Sequence, residues 1–306
     1  MKEVTQKGKL IVHIGLPKTA TTTLQKDVFP KLVNNQVKYL GTVQPREKIP
    51  VKNLYYYFYR AVEKMEYIND VRILLDKEIS KGHTLIISEE MFTVSSGNTT
   101  WKKKLENVGE IVKGFNYIIV VSVREPSSAL FSYYCELYPM FAATKKSFLE
   151  CALTSEDMQI YHYEKLIIEL YKHFDQQKIN FIKFEDIIKG KVGELLQIID
   201  PSIDKNILLN IKNQNKRKKT TTHIISPKSF TLADVFRSII QTLSINNISI
   251  IKWINKVLKP LFKQLEKIKL KNIKIRKPSD DEMIELKLQL AKETEALNSL
   301  LRVKYE

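Results

Sequence analysis

Residues 13–25, HIGLPKTATTTLQ, join a short apolar run to the start of a helical pattern. The apolar run covers 10–12, and the helical pattern comes from Leu24, Val28 and Leu32, which recur on one face of a helix. Between them lie a Gly/Pro turn, a lysine and a cluster of threonines. A strand-to-helix turn presents backbone N–H groups at the positive end of a helix dipole, so this outline predicts a loop that binds an anion.

The loop departs from the GxxxxGK[ST] pattern of nucleotide phosphate-binding loops. Its lysine, Lys18, comes too early, and a threonine stands where that lysine would be. An ATPase would also place a Mg²⁺-binding acid after a second strand, whereas the apolar run 117–123 is followed by Arg124. A cation at that place contacts an anion rather than a metal. The sequence therefore predicts a phosphate cradle without a Mg²⁺ holder, which argues against a kinase or an NTPase.

Four short apolar runs predict buried strands, at 10–15, 84–89, 117–123 and 179–186. Helical patterns lie between them, at 54–80, 101–113, 128–137 and 157–175. Strands that alternate with helices predict an α/β fold, a P-loop-like parallel sheet flanked by helices, here with a helical C-terminal extension. In such a sheet, ligands bind beyond the carboxyl ends of the strands, and all four runs end in polar residues there.

The C-terminal part of the chain differs in composition from the rest. We expect a main domain over 1–225 and a helical extension over 226–306 that packs on it or caps it, with one single domain as the alternative. The segment 235–265 carries basic residues and no acidic residue. It could line a groove for an acidic oligosaccharide, lie on an anionic membrane, or form a helical cap with a wet basic face. Ser279 and Glu282 form a capping box that predicts the last helix.

The composition limits the classes of protein to consider. The 306 residues are 43% hydrophobic and 27% charged, which favours a folded globular protein over disorder. The net charge of +16 indicates either a polyanionic partner or a lysine-rich composition without functional meaning. The two cysteines, Cys135 and Cys151, and the five histidines form no metal motif, so we predict no metal site. Without a signal peptide or a membrane-spanning apolar stretch, we expect a cytoplasmic protein, either free or peripheral at a membrane surface.

A second motif, VREPSSALFSYY, follows the third apolar run. The strand ends at Arg124, Pro126 breaks it, and the following helix carries Ser132, eight residues after the arginine. A guanidinium and a hydroxyl group suit a second phosphate. The non-functional alternatives are an ordinary capped helix for the first loop, and a surface ion pair of Arg124 with Glu125 for the second motif.

These two motifs together resemble the sulfotransferases that use 3′-phosphoadenosine 5′-phosphosulfate (PAPS). GLPKTATTTLQ looks like the family's 5′-phosphosulfate loop, usually written PKxGTT, and VREPSSALFSYY looks like its 3′-phosphate motif. INFIKFEDI resembles a strand segment found downstream in many members. The resemblance covers roughly residues 9–200 and implies a PAPS-dependent sulfotransferase of the bacterial, glycan-sulfating kind.

The resemblance also implies roles for individual residues. Lys18 would touch the oxygen that bridges phosphate and sulfate. The 5′-phosphate would be held by the threonines of the loop: Thr19, Thr21 and Thr22. The 3′-phosphate would be held by Arg124 and Ser132. The basic stretch 215–219 would either close over the 3′-phosphate, with Arg217 taking part, or form a solvated charge run.

One position of the loop departs from the family pattern. Ala20 stands where the family prefers glycine. Alanine is harmless at a negative φ, whereas a positive φ would strain it. Because the residue begins a helix, we expect a negative φ and count Ala20 among the donor-binding residues.

A general base would help the acceptor hydroxyl to lose its proton. The histidine segment of the small-molecule sulfotransferases, KTHLP, is absent here, and LIISEEMF instead ends its strand with Glu89 and Glu90. Glycan sulfotransferases of the same family place a glutamate after the corresponding strand. Glu90 matches that pattern better and Glu89 stays open as the alternative, next to a solvated acidic loop without function. His13 lies within a strand, so we expect a buried histidine of the core rather than the base.

The function that follows is transfer of the sulfuryl group of PAPS to a hydroxyl, with a glutamate base, no metal and the 3′,5′-bisphosphate (PAP) as product. The acceptor is expected to be a carbohydrate, a polysaccharide precursor or a glycolipid rather than a phenol. Two alternatives remain: a Mg²⁺-dependent nucleotide kinase or NTPase with an aberrant loop, and a non-catalytic protein that binds nucleic acid or another polyanion. No nucleic-acid motif supports the last one, and the sequence does not predict the oligomeric state.

Overall fold

The computed structural model describes most of the chain up to residue 204 and parts of the rest. The described residues are 8–41, 53–141, 147–204, 206, 224–225, 231–233, 235–236, 259–265, 267–268 and 275–301. The predicted contribution of Arg217 and most of the basic segment 235–265 therefore lie outside the described residues.

A five-stranded parallel sheet forms the centre of the fold, in the order β2-β3-β1-β4-β5. Its strands are β1 (Lys9–Gly15), β2 (Val37–Tyr39), β3 (Thr84–Glu89), β4 (Tyr117–Val123) and β5 (Ile179–Lys183). This confirms the predicted α/β class and the four predicted strands. Two details differ. The short β2 was not predicted, and β5 ends at Lys183 rather than at 186, because Phe184 begins a helix.

Helices and helical turns alternate with the strands of the central sheet. The loop after β1 leads into α1 (Thr21–Thr23), which continues as a π turn (Leu24–Val28) and a 3₁₀ turn (Phe29–Leu32). The other helices of this part are α2 (Leu54–Lys64), α3 (Ile68–Ile79), α4 (Trp101–Val112), α5 (Pro126–Phe141), α6 (Phe148–Thr154), α7 (Tyr163–His173), α8 (Phe184–Ile188) and α9 (Gly193–Ile199). The helix predicted over 54–80 is two helices, because Met65 and Tyr67 adopt φ angles of 56° and 67° and end the first helix.

The core lies on both faces of the sheet. Residues 10–12 of β1 are fully buried, as are most residues of β3 and β4. Strands buried on both faces read as continuous apolar runs, which is why the sequence reveals them so clearly. On one face, Ile11, Ile86 and Val120 pack against apolar residues of the turn after α1 and of α9. Burying each such side chain contributes about 1.5–3 kcal/mol, so the sheet is a firm support for the loops at its carboxyl edge.

The chain divides into two compact units, and the expected main domain over 1–225 with an extension over 226–306 stays a prediction. The first contains 1–129, 160–216 and 291–306, and the second contains 130–159 and 217–290. In the second unit, Tyr134 of α5 packs on Phe148 of α6, with ring centroids 5.3 Å apart. It also holds the antiparallel pair β6 (Ile224–Ile225) and β7 (Ile275–Arg276), and the helices α10 (Lys259–Leu265) and α11 (Asp280–Gln289).

Two features of the C-terminal part bear on the predictions. The capping box of Ser279 and Glu282 is present at the start of α11, as predicted. The last helix, α12 (Ala291–Leu300), belongs to the first unit, where Glu293 lies 3.4 Å from His162. Within the described ranges, no helix combines the length and the apolar character needed to cross a bilayer.

Candidate active site

The loop after β1 is fixed by a close packing contact at its first residue. A Cβ atom on Gly15 would lie 2.1 Å from the Thr21 hydroxyl oxygen and 2.7 Å from its methyl group. Only glycine therefore allows α1 to start directly above the end of β1. The Pro17 carbonyl accepts a hydrogen bond from the buried Tyr161 hydroxyl. The sequence pattern gave no sign of this long-range contact.

Thr19 holds the loop to the sheet. Its side chain is fully buried, and its hydroxyl lies 2.6 Å from both the Leu16 carbonyl oxygen and the Ser122 hydroxyl of β4. The Thr19 N–H group also donates to Leu16, at 3.3 Å. With its hydrogen-bonding groups engaged inside the protein, Thr19 positions the loop. Its contact with the 5′-phosphate stays a prediction.

The backbone of the loop contradicts one prediction. Ala20 has φ 66° and ψ 23°, in the left-handed region, whereas a negative φ was expected. The expectation was wrong because Ala20 precedes the first helical residue and is the N-cap, which does not share the helical angles. Lys18 is also left-handed, with φ 64°. A preference for glycine at position 20 follows directly from this geometry.

The same geometry presents hydrogen-bond donors to the outside. Lys18 and Ala20 have positive φ angles, and Thr19 between them has a negative φ. Such an alternation of left-handed and other residues forms backbone concavities that bind anions. Within the described chain, the N–H groups of Ala20, Thr21 and Thr22 donate to no carbonyl oxygen. Thr22 and Lys18 are half-buried at the same end of the helix, and Thr21 is 3% exposed. Three successive N–H donors with a lysine beside them can hold a tetrahedral anion.

Arg124, directly after β4, is held through both its backbone and its side chain. The Tyr163 hydroxyl donates to the Arg124 carbonyl at 2.6 Å and accepts from the Arg124 N–H at 3.1 Å. The guanidinium lies over the Phe184 ring, 4.4 Å from its centroid, and Nη1 donates to the Lys18 carbonyl at 3.4 Å. The last contact joins the end of β4 to the loop after β1, so the two cationic residues predicted to bind the donor lie at one place.

The neighbouring Glu125 does not neutralise this charge. Its carboxylate accepts from the Ser127 N–H at 3.0 Å and from the Ser128 N–H at 2.7 Å, which caps the start of α5. Burial raises the pKa of Glu125, but the hydrogen bonds from these serines outweigh it and the pKa lies below its ordinary value. Among the described residues, no carboxylate forms an ion pair with Arg124. The surface ion pair considered from the sequence is therefore not formed.

Ser132 is the second predicted ligand of the 3′-phosphate. It lies on α5, one turn after Ser128, and is half-buried. It belongs to the second compact unit. Its pairing with Arg124 on one phosphate stays a prediction, as does the participation of Arg217.

The two candidate bases differ in their surroundings. Glu89 is fully buried, and its carboxylate accepts from the Tyr55 hydroxyl and from the Met91 N–H, the latter at 3.0 Å. Glu90 is half-buried and begins a 3₁₀ turn, Glu90–Thr93. The Thr93 hydroxyl, placed 3.1 Å from the Glu90 carbonyl and 3.4 Å from that of Gly15, ties this turn to the anion-binding loop.

His13 is a core residue, as predicted. It is fully buried, its Nδ1 lies 2.7 Å from the Ser88 hydroxyl, and its ring meets Phe29 edge-on. Burial lowers the pKa of His13 to about 3. Gln25, in the turn after α1, donates to the Ser88 carbonyl at 3.0 Å. This chain of contacts links β1, β3 and the segment after the loop.

A cavity of about 780 Å³ runs along the edge strand β5 and α9, and none of the described residues that line it belongs to the anion-binding loop. In the part of the chain that is described, no group of three His, Cys, Asp or Glu side chains could hold a metal ion.

Two solved structures are similar to this chain. No known family and no curated protein matches the sequence. A sulfotransferase structure from Alicyclobacillus acidocaldarius is similar with a TM-score of 0.40 and 11% identity, over 68% of this chain and 86% of that one. A sulfotransferase domain from the curacin biosynthetic pathway is similar with a TM-score of 0.38 and 15% identity, over 93% of this chain and 97% of that one.

Proposed function

We propose that this protein is a PAPS-dependent sulfotransferase. The observation that carries the proposal is the junction of the two sequence motifs, where the Arg124 guanidinium donates to the Lys18 carbonyl at 3.4 Å. Beside this junction lie the N–H groups of Ala20, Thr21 and Thr22. A donor with a 5′-phosphosulfate and a 3′-phosphate needs two neighbouring anion sites. A guanidinium group such as that of Arg124 pairs well with a phosphate.

The residues fit the chemistry of sulfuryl transfer. The acceptor oxygen forms a bond to sulfur while the bond between sulfur and the bridging oxygen breaks, and the bisphosphate leaves with the electron pair. Lys18 and the N–H groups at the start of α1 stabilise the negative charge that develops on the leaving phosphate. The proton of the acceptor hydroxyl passes to a glutamate carboxylate.

Glu90 is our candidate for that base, with Glu89 in support. A base must touch the acceptor, and Glu90 is the half-buried member of the pair. Glu89 is fully buried and accepts hydrogen bonds from Tyr55 and Met91, which suits a role in shaping the turn. Glu90→Gln should then abolish transfer without weakening PAP binding, whereas Glu89→Gln should also lower stability, because it alters a buried hydrogen-bonded carboxylate.

We further propose that the acceptor is a hydroxyl of a carbohydrate or a glycolipid and that the reaction takes place in the cytoplasm. The glutamate pair in place of a KTHLP segment supports a glycan over a phenol. The net charge of +16 suits an acidic polysaccharide or its precursor. Transfer from radiolabelled PAPS should then occur to a neutral or acidic oligosaccharide and not to p-nitrophenol.

The first experiment tests the donor site by thermal stabilisation. PAP without a metal should stabilise the wild type by about 2.7 kcal/mol at about 100 times its dissociation constant. Arg124→Ala should lose this effect because it removes the guanidinium. Arg60→Ala is the matched control, since Arg60 is a half-buried arginine of α2 that pairs with Glu66, outside both sequence motifs, and it should keep the effect.

Two results would contradict the proposal. Stabilisation by ATP only in the presence of Mg²⁺, with none by PAP, would favour the nucleotide kinase or NTPase. Stabilisation by long nucleic acids alone, with equal loss in both arginine variants, would favour a polyanion-binding protein.

A further inference from the structure

A buried lysine contacts the turn that carries Glu90. Lys104 of α4 has a relative exposure of 0%. Its ammonium donates to Glu63 of α2 at 2.6 Å, to the Ser96 hydroxyl at 2.8 Å and to the Met91 carbonyl at 3.1 Å. The Ser96 hydroxyl in turn donates to the second oxygen of Glu63, at 2.7 Å. Three partners match the three N–H bonds of an ammonium group.

Stability alone does not explain such a cluster. Removing two charges from water costs several kcal/mol per ion, and a well-packed apolar pair is often as stable as a buried ion pair or more so. The contacts of an apolar pair are not directional, so they cannot hold a hydrogen-bonding group in one orientation. We therefore interpret the cluster as a set of contacts that holds one backbone segment in place.

That position is the backbone on either side of Glu90. The Met91 N–H donates to Glu89 at 3.0 Å, and the Met91 carbonyl accepts from Lys104. The Glu90 carbonyl itself accepts from Thr93 at 3.1 Å. The peptide units around Glu90 are thus held from three directions, by β3, by α4 and by the turn itself.

We propose that Lys104 is a positioning residue for the reaction: through Met91 it fixes the Glu90–Thr93 turn and so the direction of the Glu90 carboxylate. This inference rests on the proposed function for its catalytic part. The anion-binding loop is held by other contacts, such as Thr19 to Ser122. Loss of Lys104 should therefore weaken transfer much more than donor binding.

The test compares Lys104→Met with Lys103→Met. Lys103 is the neighbouring residue of α4 and forms an exposed ion pair with Glu106, at 2.6 Å. For Lys104→Met, kcat for transfer from PAPS to an oligosaccharide should fall by about 10²-fold, as expected for a small misplacement of a catalytic group. The dissociation constant of PAP should stay within about twofold. In Lys103→Met both quantities should match the wild type.

Hydrogen exchange supplies a readout that needs no activity. The Met91 and Val94 amides, which donate to Glu89 and to the Met91 carbonyl, should exchange faster in Lys104→Met and unchanged in Lys103→Met. Lys104→Met alone leaves the Glu63 carboxylate, whose side chain is 14% exposed, with the Ser96 hydroxyl but without its ion-pair partner. A second variant, Glu63→Gln with Lys104→Met, therefore removes both charges. It should recover stability but neither the slow exchange nor kcat.

The outcomes separate this inference from the proposed function. Absence of transfer from PAPS in the wild type would overturn the proposed function, and the exchange rates would still decide whether Lys104 holds the turn. Unchanged exchange at Met91 and Val94 in Lys104→Met would overturn the inference even in an active enzyme. An equal loss of kcat in Lys103→Met would overturn it as well, because the effect would then not depend on the buried contacts.

Discussion

At the scale of single residues, the anion-binding loop has an uncommon backbone. Lys18 and Ala20 are left-handed residues that are not glycine, and each costs roughly 1–2 kcal/mol relative to a right-handed conformation. Such strain persists where the surrounding structure enforces it, and it concentrates at functional sites. Here Gly15, Thr19 and Arg124 supply the enforcing contacts.

Ala20→Gly should therefore stabilise the protein. Glycine removes the Cβ strain at φ 66° but adds about 0.4–1 kcal/mol of entropy to the unfolded chain. The expected net gain is about 0.5–1 kcal/mol in the free energy of unfolding, measured by urea titration. PAP binding should be retained, because the substitution keeps the N–H groups of residues 20–22.

Met65→Gly is the matched control for this prediction. Met65 is also left-handed, with φ 56°, but ends α2 away from the loop. Any stabilisation there should come without a change in PAP affinity. A destabilised Ala20→Gly protein would contradict the left-handed assignment of residue 20.

His13 predicts a dependence of stability on pH. Burial lowers its pKa to about 3 in the folded protein, whereas the ordinary pKa is about 6.5. As the pH falls below about 6.5, His13 becomes protonated in the unfolded chain but stays neutral in the folded protein. The free energy of unfolding therefore decreases until about pH 3. Between about pH 8 and about pH 5 the loss from this one group is about 2 kcal/mol.

The variant His13→Gln isolates this effect from that of other titrating groups. Glutamine keeps a polar group next to Ser88 but does not titrate. Between these pH values, the free energy of unfolding should fall by about 2 kcal/mol less in the variant than in the wild type, as measured by urea titration. Equal losses in both proteins would mean that the folded protein accommodates a charged His13.

At the scale of elements, the strand-to-helix junction depends on one glycine. Gly15→Ala would place a Cβ atom 2.1 Å from the Thr21 hydroxyl. Relieving this contact requires α1 to move away from β1, at a cost of about 1–3 kcal/mol or more, as for other overpacked sites. The N–H groups of residues 20–22 would then lose their common direction, so PAP should no longer stabilise the variant in a thermal assay.

A second glycine gives the control for this experiment. Gly109 lies within α4, where a Cβ atom would meet His173 at 3.1 Å. The atoms it would meet are the Cβ atom and the carbonyl oxygen of His173 at the end of α7, both at 3.1 Å, so α7 would have to shift by a few tenths of an ångström. The gain of up to about 1 kcal/mol in helix propensity of alanine over glycine offsets that shift. Gly109→Ala should therefore stay close to the wild type in both stability and PAP binding. Retained PAP stabilisation in Gly15→Ala would show that the loop is not the anion site.

The same scale shows what sequence patterns can and cannot predict. The buried strands were readable because both faces of β1, β3 and β4 are apolar. The break between α2 and α3 was not readable, because Met65 and Tyr67 carry no turn signal and adopt positive φ through their surroundings. Sequence patterns identify Lys18 and Arg124 as residue types suited to anions. They do not reveal that Ser122, Tyr161 and Tyr163 hold these segments in place, since those contacts join positions far apart in the chain.

At the scale of the whole molecule, the net charge of +16 acts on folding and on ligand binding in opposite ways. Like charges repel one another in the compact state, which lowers stability, and the same positive field attracts an anionic ligand. Salt weakens both effects, because the screening length falls from about 30 Å at about 0.01 M to about 3 Å at about 1 M ionic strength.

Raising the concentration of sodium chloride from about 0.01 M to about 1 M should therefore raise the melting temperature of the free protein and reduce the further increase caused by PAP. Both quantities come from the same thermal unfolding experiment, with and without PAP. Sucrose serves as the control for general solvent effects, since it stabilises folded proteins without screening charge and should leave the PAP effect intact. If salt raised both quantities together, PAP binding would depend mainly on apolar contacts to its nucleoside, and the cationic loop would not be the principal source of affinity.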